Sequence, residues 1–184
     1  KTVYMVPQFY ELAYARFRIV QFYDTPTFMV DNMGFTYQQR VFKRIFDVVF
    51  SLFAIIITLP VQLAIAVAIK ADSEGPVFYS QERNTIGNRI YKAYKFRTMV
   101  VNADKIREEL ESQNEADGPV FKIKDDPRIT KIGKLFRKTG LDELPQLFNV
   151  LKGEMSLIGP RPPLKSETEQ YKGWQLRRLS VKPG

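Results

Sequence analysis

The chain has 184 residues, with 28 Lys and Arg against 20 Asp and Glu, for a formal net charge of +8. It has no cysteine and no histidine, which excludes disulfides, thiolate nucleophiles, Ser-His-Asp and Cys-His catalysis, and His-ligated zinc within this chain. Chemistry here must use Asp, Glu, Ser, Thr, Tyr, Lys or Arg, and any metal should be a hard cation held by oxygens.

Residues 1–40 alternate aromatic, aliphatic and polar residues, as in "YMVPQFYELAYARFRIVQFYDTPTFMV". Short strands and a helix fit this pattern, but so few residues make no complete domain. The segment reads as the tail of an upstream domain and a linker. The chain opens on Lys1 without methionine and closes on "SVKPG" with no evident terminal helix, so it is expected to be part of a longer protein. No signal peptide is expected, because the apolar run lies too far in and lacks a small-residue cleavage site.

Residues 41–70 form the next unit. Val48 to Ile69 carries no charge, close to the ~20 residues that a spanning helix needs. A buried core helix is the soluble alternative. Pro60 divides the run. From Asp47 to Leu59 a helix rises only about 20 Å, short of a hydrocarbon core of about 30 Å. Pro60 removes a backbone donor, and Thr58 is placed to serve a freed backbone group. Lys43 and Arg44 precede the run and Lys70 follows it. Basic flanks at both ends favour both ends on the cytoplasmic side, hence a helix–break–helix hairpin. A proline-kinked span fits the residues equally well.

Residues 71–184 read as one domain, placed in the cytoplasm by the resemblance given below. "GPVFYSQERN" and "RIYKAYKFRTM" predict a short antiparallel pair. "NADKIREELESQ" predicts an exposed helix capped by Asn102. "DDPRITKIGKLFRKTG" predicts a basic amphipathic helix with Asp126 as N-cap, Pro127 first and Gly140 at the end. Arg128, Lys131 and Lys134 share its spacing. Asp142 is expected to cap a further helix through Pro145 to about Lys152, with Gly153 after it. "SLIGPRPP" must be a loop.

The chemistry concentrates in two places. Asp142 and Glu143 are adjacent carboxylates at a predicted helix start, with Arg137 and Lys138 just upstream; such a group suits Mg²⁺ and a phosphate. A carboxylate can also attack phosphorus. An isolated Asp-Glu pair is equally a cap and a first-turn acid. Arg161, held between prolines in "GPRPP", is suited to bidentate phosphate contact, and Lys95 and Arg97 offer similar groups from a strand. Singly, each is an ordinary surface cation.

The stretches "KRIFDVVFSLFAIIITLP", "GPVFYSQER", "YKFRTM", "DGPVFKIKDDPRITKIGKLFRKTGLDELPQLFNVLKGEMSLIGPRP" and "VKPG" together resemble the bacterial sugar transferase family, the monotopic phosphoglycosyl transferases. The resemblance covers most of residues 43–184, and the "DGPVFKIKDDPRIT" insertion is similar to the longer members. It implies an α+β, mainly helical fold: a membrane-associated catalytic domain with a re-entrant hairpin broken at Pro60, flanked by Lys43 and Arg44, and a small β element. It implies transfer of a sugar-1-phosphate from a UDP-sugar to polyprenyl phosphate with release of UMP, the first membrane step of O-antigen, capsule or exopolysaccharide synthesis. Asp142 would be the nucleophile and Glu143 would help it hold Mg²⁺. Arg137, Lys95, Arg161 and Arg83 would contact phosphate or nucleotide. The implied partners are the two substrates and membrane lipid at the cytoplasmic face of a bacterial inner membrane, without nucleic acid, with homodimerisation left open. The alternative is a non-catalytic scaffold for glycan assembly. Gly140, where the family often has Ser or Thr, and the glycine-poor "NTIGN" depart from the pattern. Nothing in the sequence identifies the sugar.

Overall fold

A computed structural model describes residues 17–22, 25–30, 35–103, 105–106, 123, 126–171 and 175–184. The helix expected at "NADKIREELESQ" and most of the "DGPVFKIKDDPRIT" insertion lie outside the described residues. The chain divides into two units, Lys1–Val41 and Phe42–Gly184. In the first, β1 (Phe17–Phe22) and β2 (Thr25–Val30) pair antiparallel, Phe17 opposite Val30.

Helix α1 runs from Tyr37 to Asp72. Thr36 and Gln39 start it reciprocally: Gln39 N donates to Thr36 Oγ1 (3.3 Å), and Thr36 N donates to Gln39 Oε1 (2.9 Å), satisfying two otherwise orphaned donors. The helix is long and apolar enough to cross a membrane by length and composition, and only 22% of its most apolar stretch is buried. The core helix of a soluble protein would be mostly buried. Its inner face carries Asp47, Ser51, Ile55, Gln62, Ile65 and Ile69, whereas Phe53, Ile56, Ile57, Leu63 and Val67 are exposed. Half of the inward residues are polar and the outward ones apolar, the reverse of a helix on a soluble core.

The helical assignment continues across Pro60. The expected break is therefore not a break in helical structure, because proline removes one donor while the rest of the ladder persists. Thr58 also acts differently from expectation. Its hydroxyl donates to Ala54 O (2.7 Å) and accepts from Gln62 Nε2 (2.9 Å), rather than serving the Ile56 carbonyl that Pro60 leaves without its usual donor. Ser51 Oγ likewise donates back to Asp47 O (2.5 Å). Such back-bonding often bends helices.

Within the second unit, α1 is held at two places. Arg44 donates to Val150 O and Leu151 O, each at 2.6 Å. At the other end, Ile65 and Ile69 pack with Phe96 and Phe136, flanked by Ala68, Val77, Ile132, Leu141 and Leu144. Each of these four buried side chains contributes roughly 1.5–3 kcal/mol. Arg97, read above as a candidate phosphate contact, is buried and donates to Ser73 O (2.8 Å), Ser73 Oγ (3.0 Å) and Glu74 O. Its work is to hold the carbonyls where α1 ends.

The predicted antiparallel pair is present as β3 (Phe78–Thr85) and β4 (Arg89–Phe96). Gly87 and Asn88 between them both have positive φ, 69° and 60°, the backbone that tight hairpins require. Asn149, fully buried, completes the open edge of β4: Tyr94 N donates to Asn149 Oδ1 (3.0 Å), and Asn149 Nδ2 donates to Lys92 O (2.7 Å). Tyr91, Ala93, Val150 and Met155 form a second apolar cluster beside it.

Helix α2 spans Lys131–Thr139 and is capped by Thr130, whose Oγ1 accepts from Gly133 N (3.0 Å). It starts later than expected, and Asp126, Pro127 and Arg128 lie outside it. Two forces hold that segment back. Asp126 and Arg128 form a buried two-point pair at 2.8 and 2.6 Å. The backbone of 128–130 also bonds that of 98–100, through Val100 N to Arg128 O (2.9 Å) and Thr130 N to Thr98 O (3.1 Å). Gly140 ends α2 as predicted, left-handed at φ 72°, its N–H donating to Phe136 O. A 3₁₀ turn, Leu141–Glu143, then leads to α3, Gln146–Lys152, which Gly153 closes at φ 84°. Asp142 thus lies within the 3₁₀ turn and does not cap α3, whose N-cap position is Pro145. Residues 156–164 are the expected loop, followed by a short helix α4, Lys165–Thr168.

Candidate active site

The 3₁₀ turn between α2 and α3 places Asp142 and Glu143 side by side but in different surroundings. Asp142 is nearly buried, at 8% exposure. The side chain of Glu143 is 55% exposed and pairs through Oε1 with Lys95 Nζ at 2.5 Å. Burial pushes the Asp142 carboxyl above the usual aspartate range; Lys95 and Arg137 pull it back, while Glu143 adds to the rise. Lys95 comes from β4 and Arg137 from the last turn of α2, so three elements converge on one carboxylate. Arg137 is held by Nε donation to Thr98 Oγ1 (2.9 Å).

The proline-rich loop approaches from the other side. Arg83 on β3 donates to Pro162 O (2.9 Å) and to Gln81 Oε1 (2.8 Å), and Asn84 N donates to Pro163 O (3.0 Å). These bonds fix the loop that carries the exposed Arg161. Burial lowers the basicity of Arg83, and the Arg161 charge lowers it further, against Glu167, Tyr91 and Glu143. Tyr91, opposite Arg83 in the hairpin, is pushed by burial up to about 12. The charges of Arg83, Arg161 and Glu143 therefore belong to one electrostatic neighbourhood. Arg83 acts on the loop backbone, which gives it a positioning contact as well as a charge.

Lys43 and Arg44 sit at the start of α1. Lys43 Nζ donates to Asp47 Oδ1 (2.6 Å) and Ser156 Oγ (2.5 Å). Both flanking cations are thus bound to the domain in addition to lying at the edge of the apolar run. The sequence reading missed Asp47, Thr98, Asn149 and Ser156. A signal existed for Asp47, four residues after Lys43 on a helix. Asn149 was marked only as a polar residue inside "LFNVL".

Among the described residues, no group of three or more acidic side chains is placed to hold a metal ion. The donor set at Asp142 and Glu143 nonetheless fits Mg²⁺, which takes one or two carboxylates and completes its shell with water and substrate phosphate.

A profile of the bacterial sugar transferase family matches residues 38–184. The chain belongs to the bacterial sugar transferase family. The match begins one residue into α1 and includes every element of the site. Three relatives make the family likeness concrete. Galactosyl transferase CpsE of Streptococcus agalactiae is 46% identical over 150 residues, 82% of this chain and 33% of the relative. The undecaprenyl-phosphate galactose phosphotransferase of Salmonella typhimurium is 42% identical over 153 residues, 79% of this chain and 31% of its own length. The UDP-glucose:undecaprenyl-phosphate glucose-1-phosphate transferase of Klebsiella pneumoniae is 43% identical over 150 residues, 78% of this chain and 29% of the relative. The chain thus spans about a third of the length of these relatives.

Proposed function

We propose that this sugar transferase chain is the catalytic portion of a phosphoglycosyl transferase. It moves a sugar-1-phosphate from a UDP-sugar to undecaprenyl or another polyprenyl phosphate in polysaccharide synthesis, at the cytoplasmic face of a bacterial inner membrane. The observation that carries this reading is the near-buried Asp142, bracketed by Lys95 and Arg137, with Glu143 adjacent. The relatives' names supply the chemical class.

An Asp142 carboxylate oxygen forms a bond to the β-phosphorus of the donor as the bond from that phosphorus to the bridging oxygen breaks. UMP departs with the electron pair. A phosphate oxygen of the polyprenyl acceptor then attacks the same phosphorus and expels the carboxylate, leaving a polyprenyl diphosphosugar. No histidine base is needed, because an ionised carboxylate and a phosphate oxygen are already nucleophiles. Arg161 and Arg137 bind phosphate oxygens, Lys95 offsets charge beside Asp142, and Arg83 orients the Arg161 loop and adds positive field. Mg²⁺ bound at Asp142 and Glu143 would neutralise charge building on the phosphoryl oxygens.

The apolar helix enters and leaves a bilayer on one side in this reading. Support comes from the contacts of Arg44, before the apolar run, and of Ile65 and Ile69, near its end, with one globular unit, and from Ser51, Thr58 and Pro60, three bend-promoting residues along it. A water-soluble donor and a lipid-borne acceptor then meet at one height.

The test is UMP release by purified protein in bilayers given UDP-sugars, Mg²⁺ and polyprenyl phosphate. Turnover with some UDP-sugar, lost in Asp142→Asn together with covalent labelling by the sugar-phosphate, is the expected result. Full turnover by Asp142→Asn would remove the nucleophile assignment. Bilayer binding without UMP release above background would favour a scaffold instead.

A further inference from the structure

Asp47 lies on α1, yet its carboxylate is bound to the other end of the site-forming chain. It is 97% buried by difference from its 3% exposure. Its Oδ1 accepts from Lys43 Nζ (2.6 Å), from Ser156 Oγ (3.2 Å) and from Leu157 N (3.2 Å). Ser156 and Leu157 begin the loop that leads, within five residues, to Arg161. That loop is held by four further hydrogen bonds. Ser156 N donates to Pro183 O (2.7 Å), Gly184 N donates to Pro160 O (3.1 Å), and the Arg83 and Asn84 bonds secure Pro162 and Pro163. Among the described anchors, the apolar helix supplies the Asp47 bonds and the Lys43 Nζ donation to Ser156 Oγ (2.5 Å), and the others come from β3 and the tail.

The charge environment points the same way. Lys182, in the tail that crosses this loop, is lowered in basicity by burial and by Arg44, Arg89 and Lys43, and Asp47 opposes the shift. Asp47 thus opposes the charge of Lys43, which it pairs at 2.6 Å, and of Lys182. Removing its charge would leave Lys43 and Lys182 without that opposing charge and would weaken the bonds that Ser156 Oγ and Leu157 N donate to it, because a neutral amide oxygen is a poorer acceptor than a carboxylate.

We propose that Asp47 is a positioning residue that couples the seating of α1 to the placement of the Arg161 loop, so that the phosphate-binding arginine takes its position from the membrane-embedded helix. This rests on the reading of Arg161 as a donor-phosphate contact. The coupling would make the site complete only when the helix is correctly seated, which suits an enzyme whose acceptor reaches it through the bilayer.

The experiment compares wild type, Asp47→Asn, Ser156→Ala, Arg161→Ala and the Asp47→Asn/Arg161→Ala double variant in bilayers. Amide exchange across residues 156–161 is read first, and it needs no turnover. Faster exchange in Asp47→Asn and Ser156→Ala, with the protein still bilayer-bound, is expected; unchanged exchange overturns the proposal. UMP release is read second. Asp47→Asn should lower kcat/KM by roughly tenfold, mainly through KM for the UDP-sugar, and should add little in the Arg161→Ala background. Full multiplication of the two losses overturns the coupling. Ser156→Ala deletes a single hydroxyl and keeps the comparison available if Asp47→Asn does not fold. A wild-type protein that releases no UMP would count against the transferase reading, while the exchange result would still decide the coupling.

Discussion

Replacing Asn149 should damage the domain more than the loss of one surface-sized side chain suggests. Its amide works as a substitute strand for β4, accepting from Tyr94 N at 3.0 Å and donating to Lys92 O at 2.7 Å, with a further donation to Glu154 Oε2 at 2.6 Å. Alanine there leaves a backbone donor and a backbone acceptor without protein partners beside the part-buried edge of β4. Each costs about 1–3 kcal/mol, so Asn149→Ala should lose ~3 kcal/mol. For a unit of this size that corresponds to a Tm lower by about 6–12 °C. Asn149→Asp should be worse than alanine, because a negative oxygen would then face the Lys92 carbonyl and the Glu154 carboxylate. Thermal unfolding in detergent, followed by circular dichroism, reads the global effect; amide exchange at Tyr94 reads the local one. Lys95 is the next residue along β4, so its pairing with Glu143 should loosen and UMP release should fall further than unfolding explains. A Tm within about 2 °C of wild type, with Tyr94 exchange unchanged, would refute the strand-substitute role.

Four further outcomes follow from the structure. Asp142→Asn should raise the Tm at neutral pH while abolishing turnover. The raised carboxyl keeps its proton in the folded chain where the unfolded chain has lost it, so Asp142 subtracts stability as pH rises through that window; the advantage should vanish below the ordinary aspartate value of about 3.9, and a lower Tm at pH 7 would contradict it. By the same shift, the acid limb of wild-type turnover should lie above the ordinary aspartate range. In Gly159→Ala the new methyl would press on the backbone of Lys182, Pro183 and Gly184, costing about 1–3 kcal/mol and exposing the tail to limited proteolysis; an unchanged Tm would mean the crossing is looser than described. Finally, Lys70→Cys should resist an impermeant thiol reagent applied to intact cells, and adding Pro60→Ala should make part of it reactive by straightening α1. The background is clean because the chain has no other cysteine. Labelling of Lys70→Cys alone from outside would exclude the proposed hairpin.

The elements that the sequence predicted well are those set by local chemistry. The β3–β4 pair follows from β-rich runs broken at "IGN", and the ends of α2 and α3 follow from Gly140 and Gly153, whose left-handed backbone few other residues tolerate. The beginnings of both helices were misread for one reason. Asp126 and Asp142 have the residue type of a cap, but tertiary partners override that preference: Arg128 and the strand-like contact with 98–100 hold the first, and the 3₁₀ turn after Gly140 holds the second. The continuity of α1 through Pro60 is likewise a matter of what the rest of the ladder supports, which a proline in a sequence does not state. Arg97 and Arg83 looked like candidate ligands because a lone arginine gives no sign of whether its donors meet a phosphate or a carbonyl.

The correction at Asp142 also changes what sustains its charge. At a helix N-terminus the backbone dipole would favour the ionised form without help from elsewhere. In the 3₁₀ turn that support gives way to burial, which opposes ionisation, and Lys95 and Arg137 must counter it. Neither cation is local. Lys95 depends on β4, whose edge Asn149 completes; Arg137 depends on Thr98, whose carbonyl also fixes the start of α2. Phe96 and Phe136, next to these two cations in sequence, pack against Ile65 and Ile69 of the apolar helix. The ionisation of the proposed nucleophile is thus a property of the packed assembly, set by contacts that converge from β4, α2 and the far end of α1. Substitutions in that packing, such as Ile69→Ala, should shift the acid limb of turnover as well as the Tm, whereas a merely structural loss would leave the pH profile in place.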